Sequence, residues 1–180
     1  SPAFQRSTYC GAPMSQAQAI QGTREHLRQA VHRQLVSDVP VGAFLSGGLD
    51  SSSVVAFARE LSPDLRCFTI EVSGTDDEDF SDDPPFARRV ATHLGVPLEL
   101  VQVDAACMAA GLEEMVLQLD EPLADPASLN VFYISRLARE HGIKVLLSGS
   151  GGDDLFSGYR RHLALRSERF WAWLPRRVRI

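Results

Sequence analysis

At 180 residues, 44% of them hydrophobic and 23% charged, the chain has the size and composition of one globular domain rather than a disordered segment. A chain this long buries about 70% of its unfolded surface, so neither disulfides nor metals are needed to hold it. Eighteen basic against 23 acidic residues leave a net charge of −5, which offers no bulk electrostatic basis for binding nucleic acid. Cys10, Cys67 and Cys107 form no CxxC pair and have no histidine at ligand spacing. That excludes a zinc ribbon or a disulfide framework and fits a reducing compartment. With no apolar run of membrane length and no signal-peptide pattern at the start, the expectation is a soluble, cytoplasmic protein with no membrane partner.

Residues 1–14 carry Pro2, Gly11 and Pro13 without periodicity and read as a linker. Ser15 then suits the N-cap of a helix with Ile20, Leu27, Val31 and Leu35 at three- and four-residue steps, stopped by Asp38 and Pro40. Residues 41–45 form a short apolar run between Pro40 and a Gly-rich turn, as a buried strand does. A helix follows over 51–61, then a strand over 66–72, an acidic loop over 74–83, and a helix that Pro84-Pro85 opens and Gly95 closes. Residues 98–103 predict a third strand, and Asp104 caps a helix bearing Met108, Leu112, Met115, Val116 and Leu119. A further helix lies over 126–141, ended by Gly142, and 143–147 is the clearest strand of all. Strands alternating with helices imply an α/β fold, a doubly wound parallel sheet with helices on both faces.

Two strand-to-helix turns carry chemistry. The strand at 41–45 runs into Ser46-Gly47-Gly48-Leu49-Asp50-Ser51-Ser52, an anion cradle. Its glycines admit a phosphate close to the backbone, N–H groups and a helix dipole point at it, and three hydroxyls add hydrogen bonds. Asp50 suits such a site when Mg²⁺ stands between it and the phosphates. The turn lacks the lysine of a Walker A loop and the GxGxxG of dinucleotide folds. The second turn runs from Ser148 through Gly149, Ser150, Gly151, Gly152, Asp153 and Asp154 to Gly158. A strand end delivering two carboxylates on a Gly-rich turn opposite the first loop is suited to Mg²⁺.

SGGLDSS after a strand resembles the pyrophosphate loop of the ATP pyrophosphatase (PP-loop) superfamily. The segment SGSGGDDLFSGY is similar to the LSGEGGDELFGGY block of its asparagine synthetase family. Asp120-Glu121-Pro122-Leu123-Ala124-Asp125-Pro126 resembles that family's DEPFADPS segment, and residues 86–95 its second helix. The similarity runs from about Ser37 to His162.

It implies an adenine nucleotide α-hydrolase-like fold and a synthetase domain over 15–162. Residues 1–14 would then link to a missing upstream domain, and 163–180 would begin a C-terminal helical extension. The implied reaction is adenylation of a carboxylate by Mg·ATP with release of pyrophosphate. Ammonia would then attack to give an amide, most simply asparagine from aspartate. The ammonia would come from glutamine, through an N-terminal glutaminase domain in the full-length protein. A homodimer stays open.

Residue by residue, the resemblance gives Ser46, Gly47, Gly48, Ser51 and Ser52 to the pyrophosphate end of ATP. Asp50 and Asp153 become catalytic Mg²⁺ ligands. Leu45, Ile70, Ser148 and Gly149 line the adenine and ribose pocket, and Asp125 stands on the substrate side.

This sequence departs from the family pattern in three respects. Ser150 stands where the family has Glu, and Asp154 where it has another Glu. A serine hydroxyl is no general base without a neighbour to activate it. The only lysine, Lys144, begins the strand before the second loop and cannot be the family's charge-stabilising lysine. No glutaminase cysteine opens the chain, so an internal piece of a longer protein is expected. Two other readings therefore stay open: a family amidotransferase acting on another carboxylate, and an ATP-binding fragment without turnover.

Weaker signals resolve more simply. Asp76, Asp77, Glu78, Asp79, Asp82 and Asp83 lack the Gly and terminal Glu of an EF-hand and read as a solvated loop, with Asp82 or Asp83 near enough to the implied site mouth to touch substrate or metal. His26 and His32 are expected on helix surfaces, and no histidine completes a triad. Seven arginines from Arg160 to Arg179, with Phe170, Trp171 and Trp173 among them, admit phosphate or RNA contact. Exposed Trp beside Arg, however, favours a helix separated from its packing partner.

Overall fold

The computed structural model describes residues 14–73, 83–121, 123, 125, 127–159 and 162. The opening linker, most of the acidic loop and the Arg/Trp-rich end lie outside these residues. The first helix, α1 (Gln16–Gln34), starts at a capping box: the Ser15 hydroxyl accepts from the Gln18 N–H while the Gln18 side chain accepts from the Ser15 N–H. His32 is not simply on its surface. Its Nε2 lies 3.1 Å from the Phe57 carbonyl oxygen and 3.4 Å from Glu60, and Arg28 pairs with Glu60 at 2.6 Å. These contacts tie α1 to α2 (Leu49–Ala58), the helix after strand β1 (Val41–Phe44).

The chain continues through β2 (Arg66–Ser73), α3 (Asp83–Leu94), β3 (Leu98–Asp104), α4 (Ala105–Leu117), α5 (Ala127–Glu140), β4 (Val145–Leu147) and α6 (Gly152–Phe156). The strands form one sheet in the order β3-β2-β1-β4, every pair parallel, with Ala43 opposite both Cys67 and Leu147. Alternate strand residues feed two cores. Ala43, Leu45 and Cys67 pack with Val31, Val55, Ala58, Ala87 and Ala91 from α1, α2 and α3. Phe44 and Phe68 face the other way onto Ile134 and Ala138 of α5, and Val103 joins Met115, Phe132 and Tyr133 from α4 and α5. Helices thus cover both faces, as the near-continuous apolar strands require.

Local chemistry sets the boundaries. Asp104 accepts from the Cys107 N–H at 2.7 Å and starts α4. Gly95 and Gly142 take positive φ values of 64° and 75° where α3 and α5 end. The strand that reads most clearly in the sequence is the shortest. Ile143 donates its N–H to the Ala138 carbonyl at 2.9 Å, closing the end of α5, and so pairing begins only at Val145. On the α4–α5 side, Gly111 makes room for Tyr133, whose hydroxyl donates to the Cys107 carbonyl. Cys67 is fully buried in β2, which pushes its thiol up to about 12. Among the described residues no helix is long and apolar enough to cross a membrane.

Candidate active site

The chain moves outward from β1 to β2 and β3, then returns to place β4 on the other side of β1. Beyond the carboxyl ends of β1 and β4 lies the switch point, where open α/β sheets bind their ligands. Both chemistry-bearing turns emerge there. At the first, Ser46 Oγ accepts from the Gly48 N–H at 3.3 Å and lies 3.0 Å from Ser51 Oγ. Gly48 caps α2 with no side-chain acceptor for the first-turn amides, and Leu49, Asp50 and Ser51 follow it. The helix therefore starts two residues earlier than its sequence suggests, directly on the loop. Gly47, at φ 86°, backs onto α3: a Cβ there would lie 2.5 Å from the Ala87 nitrogen.

The second turn repeats the device. Ser148 Oγ accepts from the Ser150 N–H at 3.1 Å and lies 2.7 Å from Ser150 Oγ, and Gly151 takes a φ of 91° before α6. The turns touch where side chains are absent. A Cβ at Gly149 would lie 2.7 Å from the Ser51 nitrogen, and one at Gly152 would run into the Asp50 carboxylate. Asp153, the next residue, folds its own carboxylate against Gly158, whose N–H bonds the Asp153 carbonyl at 2.9 Å.

Between them lies a cleft of about 470 Å³ lined by Ser46, Gly48, Asp50 and Ser51 from one loop, by Ser148, Gly149, Ser150 and Asp153 from the other, and by Phe44 and Phe156. Its donor set suits Mg²⁺: two carboxylates and several hydroxyls, too few for a full shell, as befits an ion that keeps water and substrate phosphates among its ligands. Gly152, bare where Asp50 lies, brings the first carboxylate beside the loop that bears the second. Among the described residues no cluster of three or more His, Cys, Asp or Glu competes as a metal site.

Not every residue singled out in the sequence reaches the cleft. Leu45 is 1% exposed and its side chain belongs to the core, so main chain is what it can offer a ligand. Ile70 packs between the two clusters on the α4–α5 face. Gly47 supports the loop from behind. Ser52 lines a neighbouring groove between α2 and α3, its hydroxyl buried and unpartnered among the described residues. Asp125 accepts from the Ala127 N–H at 2.9 Å at the start of α5 and does not line the cleft. Lys144 is exposed just ahead of β4, at the opposite end of the sheet. Sequence reasoning missed Gly152 as the seat of Asp50, and it missed the walls Phe44 and Phe156. The Gly-Gly pair at 151–152 signalled a turn and not what would face it.

Residues 22–180 match the family model described as asparagine synthase, and the chain belongs to that family. It is 33% identical over 174 residues to the amidase chyE of Penicillium rubens, covering 88% of this chain and 25% of that protein. To a putative glutamine-hydrolysing asparagine synthetase of Mycobacterium tuberculosis it is 40% identical over 153 residues, 85% of this chain and 23% of the relative. The chain thus spans about a quarter of the length of these curated relatives. Among solved structures, the U34-tRNA thiolase NcsA from Methanococcus maripaludis is 16% identical with a TM-score of 0.54, over 88% of this chain and 61% of that one. That likeness concerns the fold alone, which is that of the adenine nucleotide α-hydrolases.

Proposed function

We propose that this chain is the ATP-binding, adenylate-forming part of a carbon–nitrogen ligase that converts a carboxylate into an amide. The carrying observation is the meeting of the two strand-end loops, with Asp50 against Gly152 and Asp153 beside it, in a member of the asparagine synthase family. The hydroxyls of Ser46 and Ser51 and the first-turn amides of α2 would hold the pyrophosphate end of ATP. Ser148 and Gly149, with the Leu45 main chain, would flank its nucleoside end. Asp50 and Asp153 would hold Mg²⁺, which when bound supplies charge neutralisation on the departing pyrophosphate. The substrate carboxylate attacks the α-phosphorus, the bond to the pyrophosphate breaks, and ammonia then displaces AMP to leave the amide. The protein contributes mainly fixed geometry and prearranged donors.

Aspartate is the simplest carboxylate and glutamine, through an upstream glutaminase domain, the simplest ammonia source. Residues 15–162 would be the synthetase part and 163–180 the start of a helical extension. One feature favours a second reading, in which the family chemistry acts on another carboxylate. Ser150 lines the cleft as a neutral hydroxyl 2.7 Å from the Ser148 hydroxyl, and a serine is no general base without a neighbour to activate it.

The deciding experiment follows pyrophosphate release by the full-length protein with Mg·ATP, glutamine and aspartate, omitting each in turn. Release that requires aspartate, with asparagine formed, supports the first reading. ATP binding without it moves the substrate to another carboxylate. If Asp50→Ala or Asp153→Ala leaves ATP–pyrophosphate exchange unchanged, the site assignment fails.

A further inference from the structure

Gly152 and Gly158 stand where the backbone does not ask for glycine. Gly95, Gly142 and Gly151 take positive φ with open space around them, so conformation is the reason for a missing side chain there. Neither Gly152 nor Gly158 takes a positive φ. What a side chain would meet at these two positions is a carboxylate. A Cβ at Gly152 would run into that of Asp50, and one at Gly158 would run into Asp153 Oδ1 and lie 2.8 Å from Asp153 Cγ. Asp153 is otherwise exposed, so contact with Gly158 is the wall that limits its swing.

We propose that Gly158 is a positioning residue that seats the Asp153 carboxylate, as Gly152 seats that of Asp50. The inference rests on the metal role given to Asp153 above and adds to it a residue that carries no ligand atom. Ser157 brings the two together. Among the described residues it is the one non-glycine at positive φ, with φ 63° and ψ 37°, a left-handed turn at the end of α6. That turn folds the chain back so that the Gly158 N–H donates to the Asp153 carbonyl at 2.9 Å. A serine is held there against its own preference, a cost that structures keep where the turn serves a site. With main chain and no Cβ at 158, the carboxylate can lie back at the wall of the cleft that both residues line. A methyl group at 158 would displace it without adding or removing a ligand.

The test follows Mn²⁺, a paramagnetic replacement for Mg²⁺ at oxygen ligands, by electron paramagnetic resonance. It uses the full-length protein with an ATP analogue methylene-bridged between its α- and β-phosphates, so that no turnover enters. Gly158→Ala should weaken Mn²⁺ binding on the order of tenfold, as loss of a group that orients a metal ligand does, and leave the metal-free affinity for the analogue unchanged. In an Asp153→Ala background the same substitution should do nothing further, because an effect carried by one residue vanishes with it. Alanine suits the Gly158 backbone, so circular dichroism should show the parent fold. Unchanged Mn²⁺ affinity in Gly158→Ala would overturn the proposal. So would an equal loss in both backgrounds, or a fall in metal-free affinity, either of which marks a general disturbance of the loop. If Asp153→Ala itself leaves Mn²⁺ affinity unchanged, the metal assignment falls and takes the proposal with it, an outcome distinct from a silent Gly158→Ala beside an effective Asp153→Ala.

Discussion

The two loops of the cleft follow one plan and rest on different foundations. Each has a serine whose hydroxyl accepts the N–H two residues on and meets a second serine hydroxyl, and each has a glycine at positive φ before a helix. The loop after β1 leads into a ten-residue helix with Ser51, Val55 and Ala58 buried, and its Gly47 is wedged against the backbone of α3. The loop after β4 leads into a five-residue helix with nothing buried, and around Gly151 there is open space. The first leans on α3 through Gly47 and runs into a helix with a buried face, and the second meets the first at Gly149 and Gly152. Demands on the loops differ accordingly. Under the proposed function, the first loop would meet the same pyrophosphate group in every turnover, which rewards a fixed cradle. The resemblance to the family motif is unbroken at 46–52, whereas the second block departs from it at Ser150, Asp154 and Ser157.

Substitutions can break or sharpen this contrast. The largest effect is expected at the shared contact: Asp50→Ala should lower ATP–pyrophosphate exchange on the order of 10²–10³-fold, as removal of a prearranged charge-stabilising group does, with Asp153→Ala comparable. Ser150→Glu should raise aspartate-dependent amide formation and leave ATP affinity unchanged, read by product analysis and a nucleotide titration. Among glycines, Gly47→Ala meets both a left-handed backbone and the α3 main chain, for a loss of about 2–5 kcal/mol in urea unfolding. Gly151→Ala meets the backbone alone and should cost about 1–2 kcal/mol. Equal losses at the two positions would erase the distinction between the loops.

A separate effect lies away from the cleft, at Cys67. Its thiol stays protonated in the fold up to about 12, while an unfolded cysteine ionises near 8.5. The stabilisation is complete below that lower value and is lost as pH rises toward 12, by at most about 1.4 kcal/mol per pH unit. Cys67→Ala should flatten the alkaline limb of a stability–pH curve by that amount.

Much of this architecture was legible because local chemistry and fold agree. Ser15 and Asp104 cap the helices they precede, Gly95 and Gly142 end the ones they follow, and the apolar runs at 41–44, 66–73 and 98–104 are strands. The two turns announced themselves by composition. What stayed hidden is long-range. No pattern in the sequence tells that Gly149 and Gly152 are bare because α2 presses on them, that Gly47 supports its loop from behind, or that Leu45 keeps its side chain in the core. His32 reads as a surface residue because its partners lie far along the chain, Phe57 in α2 and Glu60 just past its end. Even the strand at 143–147 was misjudged in length by a tertiary demand, the use of Ile143 to close α5.

The placement of β4 beside β1 has a consequence for how the protein comes into being. Of the four strands among the described residues, the two that carry the cleft are the first and the last to leave the ribosome. The β1–β2 and β2–β3 pairs join neighbours in the chain, whereas the β1–β4 pair closes the longest loop in the sheet and is the slowest contact to form. Half of the cleft is therefore present early, and it waits through two further strand–helix units for its other wall. A nascent or truncated chain that stops before Ser148 can hold most of its core and still have no cleft, so that ligand binding reports on the completion of folding.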